Sequence, residues 1–307
     1  MKIQPLQNGD KIAIVAPSGA LKKQDLVIGL EFLQQNNFTP IFGKNLFNTS
    51  GIGYNFSGTE QERINDFQQA IDDNEIKAIW CARGGYGAIK IIDELDFSSL
   101  KTNFKWIIGY SDITVIHNKL NQLGIPSLHA VTAKAISPQP TKESYESLKK
   151  VLVGENLSYE LKLKNIHNQQ VEGILIGGNL SILYSQMGML NKDFFKDKIL
   201  FIEDWYENHY HLDRMLMNFK RNGIFDSIKA LIVGSFTKMD DKETNLFYQD
   251  DYDKMAYEII QNELKNYDFP IYFGFPAGHI NDNRALVMGT TLKITHENEL
   301  TKFSFVQ

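Results

Sequence analysis

Three segments each deliver a reactive side chain to the end of an apolar run. In FKWIIGYSDITVIHNKL, Ser111 stands between an apolar strand and an amphipathic helix, two residues after Gly109. A sharp strand-to-helix turn of this kind lifts a hydroxyl to the carboxyl edge of a sheet, and the helix amino terminus offers N–H groups and partial positive charge to a developing oxyanion. The mechanics are those of a nucleophile elbow without its G-x-S-x-G spelling, and Ser111 or Asp112 acting only as a helix cap is the competing reading. In KILFIEDWYE an apolar strand carries Glu203 and Asp204 to its carboxyl end. Adjacent strand residues face opposite ways, so only one of them can address a given imidazole, and either can be an ordinary solvated cap. In FGFPAGHINDNRALVMG, His279 lies in a Pro- and Gly-bearing loop between two strands, a good place for a general base and equally for a histidine without function.

Two further clusters are weaker. WCARGGYGA sets Gly84, Gly85 and Gly87 after a strand, where the backbone can approach a ligand and aim N–H groups at it, with the fixed charge of Arg83 beside them. It is not a dinucleotide loop, because the spacing is not G-x-G-x-x-G, the strand is a middle one, and the turn after the first strand reads APSGA. No cofactor is expected. NHYHLDR has the H-x-H-x-D spacing that opens a dinuclear zinc site, but Arg214 follows where that motif wants histidine, and alternate residues of the helix it enters diverge by about 200°. His209, His211 and Asp213 therefore read as a polar helix start, and no metal is expected.

Positioning these residues requires strand–helix units. KIAIVAP, TPIFG, IKAIWCA, FKWIIGY and IPSLHA read as strands, with helices beginning near Gln24, Glu60, Ala88 and Ile113, the pattern of a mainly parallel, doubly wound sheet ending near Pro138. Between Ser137 and Val171 the rhythm breaks at two prolines, a polar helical stretch and the alternating SYELKLKN. We place the domain boundary there, with a first domain over 1–150, a linker region over 151–170 and a smaller β-rich domain over 171–307. Its expected strands are VEGILIGG, KILFIED, IKALIVGSF, FPIYFGF, ALVMGTTLKIT and TKFSFV, with one clear helix from about His211 to Asn222 ahead of Gly223.

Composition narrows the partners. At 307 residues and 43% hydrophobic content the chain can bury a full core, and its net charge of −5 comes without basic runs, which argues against nucleic acid or an anionic membrane. The first residues lack a signal-peptide apolar core and no window reaches the length of a membrane span. Cys81 is the only cysteine, so no internal disulfide can form and a reducing, cytoplasmic compartment is expected. Within AIWCA it reads as a buried structural thiol.

Taken in order, APSG, CARGGYG, IIGYSDIT, GILIGGNLS, LFIEDWYE and GFPAGH resemble the LD-carboxypeptidase family of serine peptidases, over nearly the whole chain from Ile12 to Met288. The resemblance implies an α/β architecture with a flavodoxin-like amino-terminal domain bearing the nucleophile and a barrel-like carboxy-terminal domain bearing the other two triad members. It assigns the nucleophile to Ser111, the acid to Glu203 and the base to His279. It further implies cleavage of a terminal D-alanine from cytosolic murein tetrapeptides, or, in a related branch, hydrolysis of toxic peptide–nucleotide conjugates that confers antibiotic self-immunity. In this scheme backbone N–H groups of Asp112 and of the Gly84–Gly85 turn meet the oxyanion, and Arg83 engages the substrate carboxylate. A binding module that grips an anionic peptide without cleaving it is the reading from another class, and a homodimer is left open.

Overall fold

A computed structural model describes residues 3–134, 140–240 and 252–306, and the chain divides into two compact units, residues 1–155 with 284–286 and residues 156–283 with 287–307. In the first unit β1 (Lys11–Val15), β2 (Thr39–Phe42), β3 (Ile76–Cys81), β4 (Trp106–Gly109) and β5 (Ser127–His129) pair in parallel in the order β5-β4-β3-β1-β2. A strand over Leu286–Met288 takes the place outside β5. The runs IAIV, AIWC and WIIG are buried throughout, because the connecting helices cover both faces of a parallel sheet. β2 is the largely exposed edge and holds Pro40, which an edge strand tolerates.

The helices are α1 (Val27–Gln35), α2 (Glu60–Asp72), α3 (Thr114–Gln122) and α4 (Lys142–Leu152). α2 opens on a capping box in which Thr59 accepts from the Glu62 amide and Glu62 accepts from the Thr59 amide. It closes on Lys105, fully buried, whose Nζ donates to the carbonyls of Ala70, Ile71 and Asp73 at 3.0, 2.5 and 2.6 Å. The helix expected from Ala88 is instead two single 3-10 turns, Ala88–Lys90 and Ile92–Glu94. Its apolar residues Ile91, Ile92 and Leu95 are buried, and so short a spacing suits isolated turns as well as a helix. The start near Gln24 is a 3-10 turn over Lys23–Leu26 that runs into α1. Pro138, where the first sheet was expected to end, lies outside the described residues.

In the second unit β6 (Ser158–Leu161), β7 (Lys164–Ile166), β8 (Val171–Asn179), β9 (Ile199–Trp205), β10 (Ala230–Thr237), β11 (Ile271–Phe273), β13 (Thr291–Glu297) and β14 (Leu300–Val306) form one sheet ordered β6-β14-β13-β8-β9-β10-β11-β7. Its centre, β8 to β11, is parallel, and the flanks are antiparallel. β6 and β7 occupy opposite edges although only Lys162 and Leu163 separate them in sequence, a link that spans at most about 10 Å. The sheet must therefore curl enough to bring its edges near each other there, and Asn165 Nδ2 of β7 donates to Thr301 Oγ1 of β14, the neighbour of β6, at 2.7 Å. Tyr272, Phe275 and Phe303 fill the interior with ring centroids 5.0–5.7 Å apart.

The clear helix expected near His211 is α7 (His209–Arg221), and three more accompany it, α5 (Leu180–Ser185), α6 (Lys192–Phe195) and α8 (Lys254–Leu264). α5 and α6 are too short to show a period. Together they cover one apolar cluster that includes Leu183, Phe195, Leu216, Phe219 and Ile260. ALVMGTTLKIT, expected as one strand, is two. The chain turns at Gly289, φ +78°, between β12 (Leu286–Met288) and β13, which belong to different sheets. No helix of the described residues is long and apolar enough to cross a membrane.

Candidate active site

On the first unit Ser111 begins a 3-10 turn between β4 and α3, with φ +64°, a left-handed conformation uncommon outside glycine and concentrated at functional turns. It is half-buried. Gly109 must be glycine here, since a Cβ would come within 2.9 Å of Ile113 Cγ1 and 3.1 Å of Cys81 Cβ. Beneath the turn, His117 of α3 is fully buried between the Gly109 carbonyl, 2.9 Å from Nε2, and Ser127 Oγ, 2.8 Å from Nδ1. A carbonyl only accepts, so the proton sits on Nε2, and burial pulls the imidazole down to about 4, leaving it neutral and structural.

The loop after β3 packs directly on this turn. A Cβ on Gly84 would lie 2.9 Å from Ser111 Cβ and 3.2 Å from its Oγ, so only glycine brings the loop backbone this close to the hydroxyl. Gly85 has φ +108°, and Tyr54 Oη accepts from the Tyr86 amide just beyond it. Arg83 is half-buried and donates from Nη1 to the Ala20 carbonyl at 2.7 Å. The Asp112 carboxylate accepts from Ser18 Oγ at 2.6 Å and from the Ala88 amide at 2.9 Å. Burial pushes its carboxyl above the ordinary range, while those two donors and the Arg63 charge pull the other way.

On the second unit β9 ends with Glu203 and Asp204 pointing to opposite faces. Glu203, fully buried, meets His279 Nδ1 with Oε2 at 2.7 Å. Since a carboxylate only accepts, Nδ1 carries the proton, and in the neutral imidazole the acceptor nitrogen is then Nε2. The approach depends on Gly278, φ +117°, where a Cβ would stand 2.6 Å from Glu203 Oε2 and 2.3 Å from Ser235 Oγ. The loop is tied down by the Gly278 amide on Asn283 Oδ1 at 2.9 Å and by Thr237 Oγ1 on the His279 carbonyl at 3.2 Å. The Trp205 indole lies parallel to the imidazole, 5.6 Å between centroids at 12°. That contact was not visible in sequence, where Trp205 is only the residue after a carboxylate pair.

Asp204 turns to the junction of β8 and α5, accepting from Asn179 Nδ2, the Ser181 amide, Ser181 Oγ and the Trp205 amide, the two amides at 2.9 and 2.8 Å. It supports the start of α5 beside the Asn179 cap. Burial, then the neighbouring Glu203 charge, raises its pKa from 3.8 to about 7. Between those values the folded state holds a proton that the unfolded chain has released, so this contribution to stability is largest near pH 4 and is lost as pH rises through about 7. The melting temperature of the wild type minus that of Asp204→Asn is therefore expected to shrink from pH 5 to pH 8. A constant difference would contradict the assignment.

The remaining candidates fall elsewhere. His209 reaches Asp240 with Nδ1 and Asp253 with Nε2, the latter at 3.1 Å, whereas His211 Nδ1 meets Glu207 at 2.5 Å. The two imidazoles thus serve different carboxylates at the start of α7. Cys81 is fully buried in β3, and burial pushes its thiol up, away from nucleophile chemistry.

The first unit thus carries a serine with positive φ at the carboxyl end of β4, and the second a buried glutamate–histidine pair on its curled sheet. Residues 12–130 match the LD-carboxypeptidase N-terminal domain and residues 172–294 the LD-carboxypeptidase C-terminal domain, and the chain belongs to the LD-carboxypeptidase family, a family of peptidases. It is 30% identical to the probable murein peptide carboxypeptidase of Bacillus subtilis over 300 residues, 94% of this chain and 89% of that one. It is 29% identical to the murein tetrapeptide carboxypeptidase of Pseudomonas aeruginosa over 302 residues, covering 94% and 93%. A solved structure of the microcin C7 self-immunity protein MccF in complex with aspartyl sulfamoyl adenosine has the same fold, with a TM-score of 0.83 at 24% identity over 99% of this chain and 98% of that one.

Proposed function

We propose that the chain is a cytoplasmic, serine-type LD-carboxypeptidase that releases the terminal D-alanine of murein tetrapeptides, with Ser111 as nucleophile, His279 as base and Glu203 as acid. The observation that carries the reading is the buried Glu203–His279 bond, which leaves Nε2 as a proton acceptor. Family membership and the two murein peptidase relatives support the substrate class.

In the proposed cycle Nε2 of His279 takes the Ser111 proton as Oγ bonds to the scissile carbonyl carbon. Glu203 stabilises the imidazolium and fixes its tautomer. The oxyanion is met by the backbone N–H of Asp112 and of the Gly84–Gly85 turn, and the Arg83 charge holds the substrate's terminal carboxylate. When the carbon–nitrogen bond breaks, Nε2 returns the proton to the departing D-alanine amine. Water then attacks the acyl-serine with His279 again as base, restoring the hydroxyl. No cofactor enters the cycle.

The test is digestion of defined muropeptides followed by mass spectrometry. D-alanine is expected to leave a tetrapeptide rapidly and a pentapeptide ending in D-alanyl-D-alanine poorly, since the cleaved bond must follow an L-centre. Equal rates on both would indicate a D,D-carboxypeptidase. Hydrolysis of aspartyl sulfamoyl adenosine in preference to either would move the substrate assignment to peptide–nucleotide conjugates, and binding without turnover of any of them would leave a binding module.

A further inference from the structure

Arg63 takes no step in this cycle, yet it is a charged side chain on α2 with only 2% exposure. Its Nη1 donates to the Pro17 carbonyl at 2.5 Å and to the Gly87 carbonyl at 2.9 Å, and the Phe56 ring covers the guanidinium at 5.0 Å. Asp112, 1% exposed, accepts from Ser18 Oγ and the Ala88 amide through the same oxygen. A buried guanidinium and a buried carboxyl group thereby join the loops that follow β1, β3 and β4, which are neighbours in the sheet.

Burying both polar groups is costly, and packing alone is often served as well by apolar side chains of similar volume. What their hydrogen bonds do is tie the three loops to one another. Ala88 ends the loop whose Gly84 abuts Ser111, and Asp112 is the next residue after Ser111. Any slip of the three loops changes the distance between the hydroxyl and the N–H groups proposed for the oxyanion, and displacements of about 1 Å can cost two orders of magnitude in rate.

We infer that Arg63, Ser18 and the Asp112 carboxylate are positioning residues that lock the Gly84 loop against Ser111 in its reactive geometry. The inference rests on the serine reading above. Its test is the rate at which a fluorophosphonate labels Ser111, together with kcat and KM on one tetrapeptide, in Ser18→Ala and Arg63→Lys. Ser18→Ala deletes one hydroxyl and is expected to fold, with labelling and kcat down roughly tenfold and KM within about twofold, the loss of one positioning hydrogen bond. Arg63→Lys keeps the charge but not the planar fork or its stacking on Phe56, and is expected to lose at least as much. Should it fail to fold, Ser18→Ala decides alone. Labelling of folded Ser18→Ala at the wild-type rate overturns the inference, as does a loss seen only in KM. A wild-type protein that does not label at all removes the serine reading and this one with it.

Discussion

Ser111→Ala is expected to fold and to lose about three or more orders of magnitude in kcat on a murein tetrapeptide, with KM little changed. In the proposed cycle the hydroxyl oxygen bonds to the carbonyl carbon, and its removal leaves only binding and oxyanion contacts. Folding is expected to survive because alanine at φ +64° is strained to about the same degree as serine, and the turn is held by Gly109, Gly84 and His117. Circular dichroism and melting temperature check the first half, and single-substrate kinetics the second. Retention of a tenth of wild-type turnover would remove Ser111 from the chemistry.

Glu203→Gln is the second large effect, expected to lower kcat by up to about four orders of magnitude. The amide keeps the size but can turn its N–H₂ toward His279 Nδ1, favouring the tautomer with the proton on Nε2 and withdrawing the charge that stabilises the imidazolium. Asp204→Asn, one residue on, is expected to cost far less in kcat, because its carboxylate meets Asn179 and Ser181 on the other face of β9. In the proposed cycle the acid acts on the imidazole and not on the substrate, so KM should hold in Glu203→Gln. Kinetics of both variants on one tetrapeptide separate the roles, and a crippled Asp204→Asn beside an active Glu203→Gln would reverse them.

The parallel sheet of the first unit was legible because its central strands are uninterrupted apolar runs, and the turn at Ser111 because strand and helix patterns meet there with no room between. The choice between Glu203 and Asp204 was not legible from the residues themselves. It depends on the phase of the pleat at the end of β9, which only the positions of Gly278 and Asn179 fix. Arg63 was hidden for a different reason. On an amphipathic helix an arginine reads as part of the solvated face, and its burial follows from loops that are distant in sequence. The division of ALVMGTTLKIT between two sheets likewise leaves no mark on the local pattern except Gly289.

That division bears on how the chain is made. The five parallel strands of the first sheet have left the ribosome once His129 has emerged, but the place outside β5 is filled by Leu286–Met288. Through about half of translation β5 therefore offers an open flank that a wrong strand can occupy. A stop codon or a split of the gene near residue 155 would leave that flank permanently open in the amino-terminal product. Added in trans, the remainder of the chain, residues 156–307, carries the strand that fills that place.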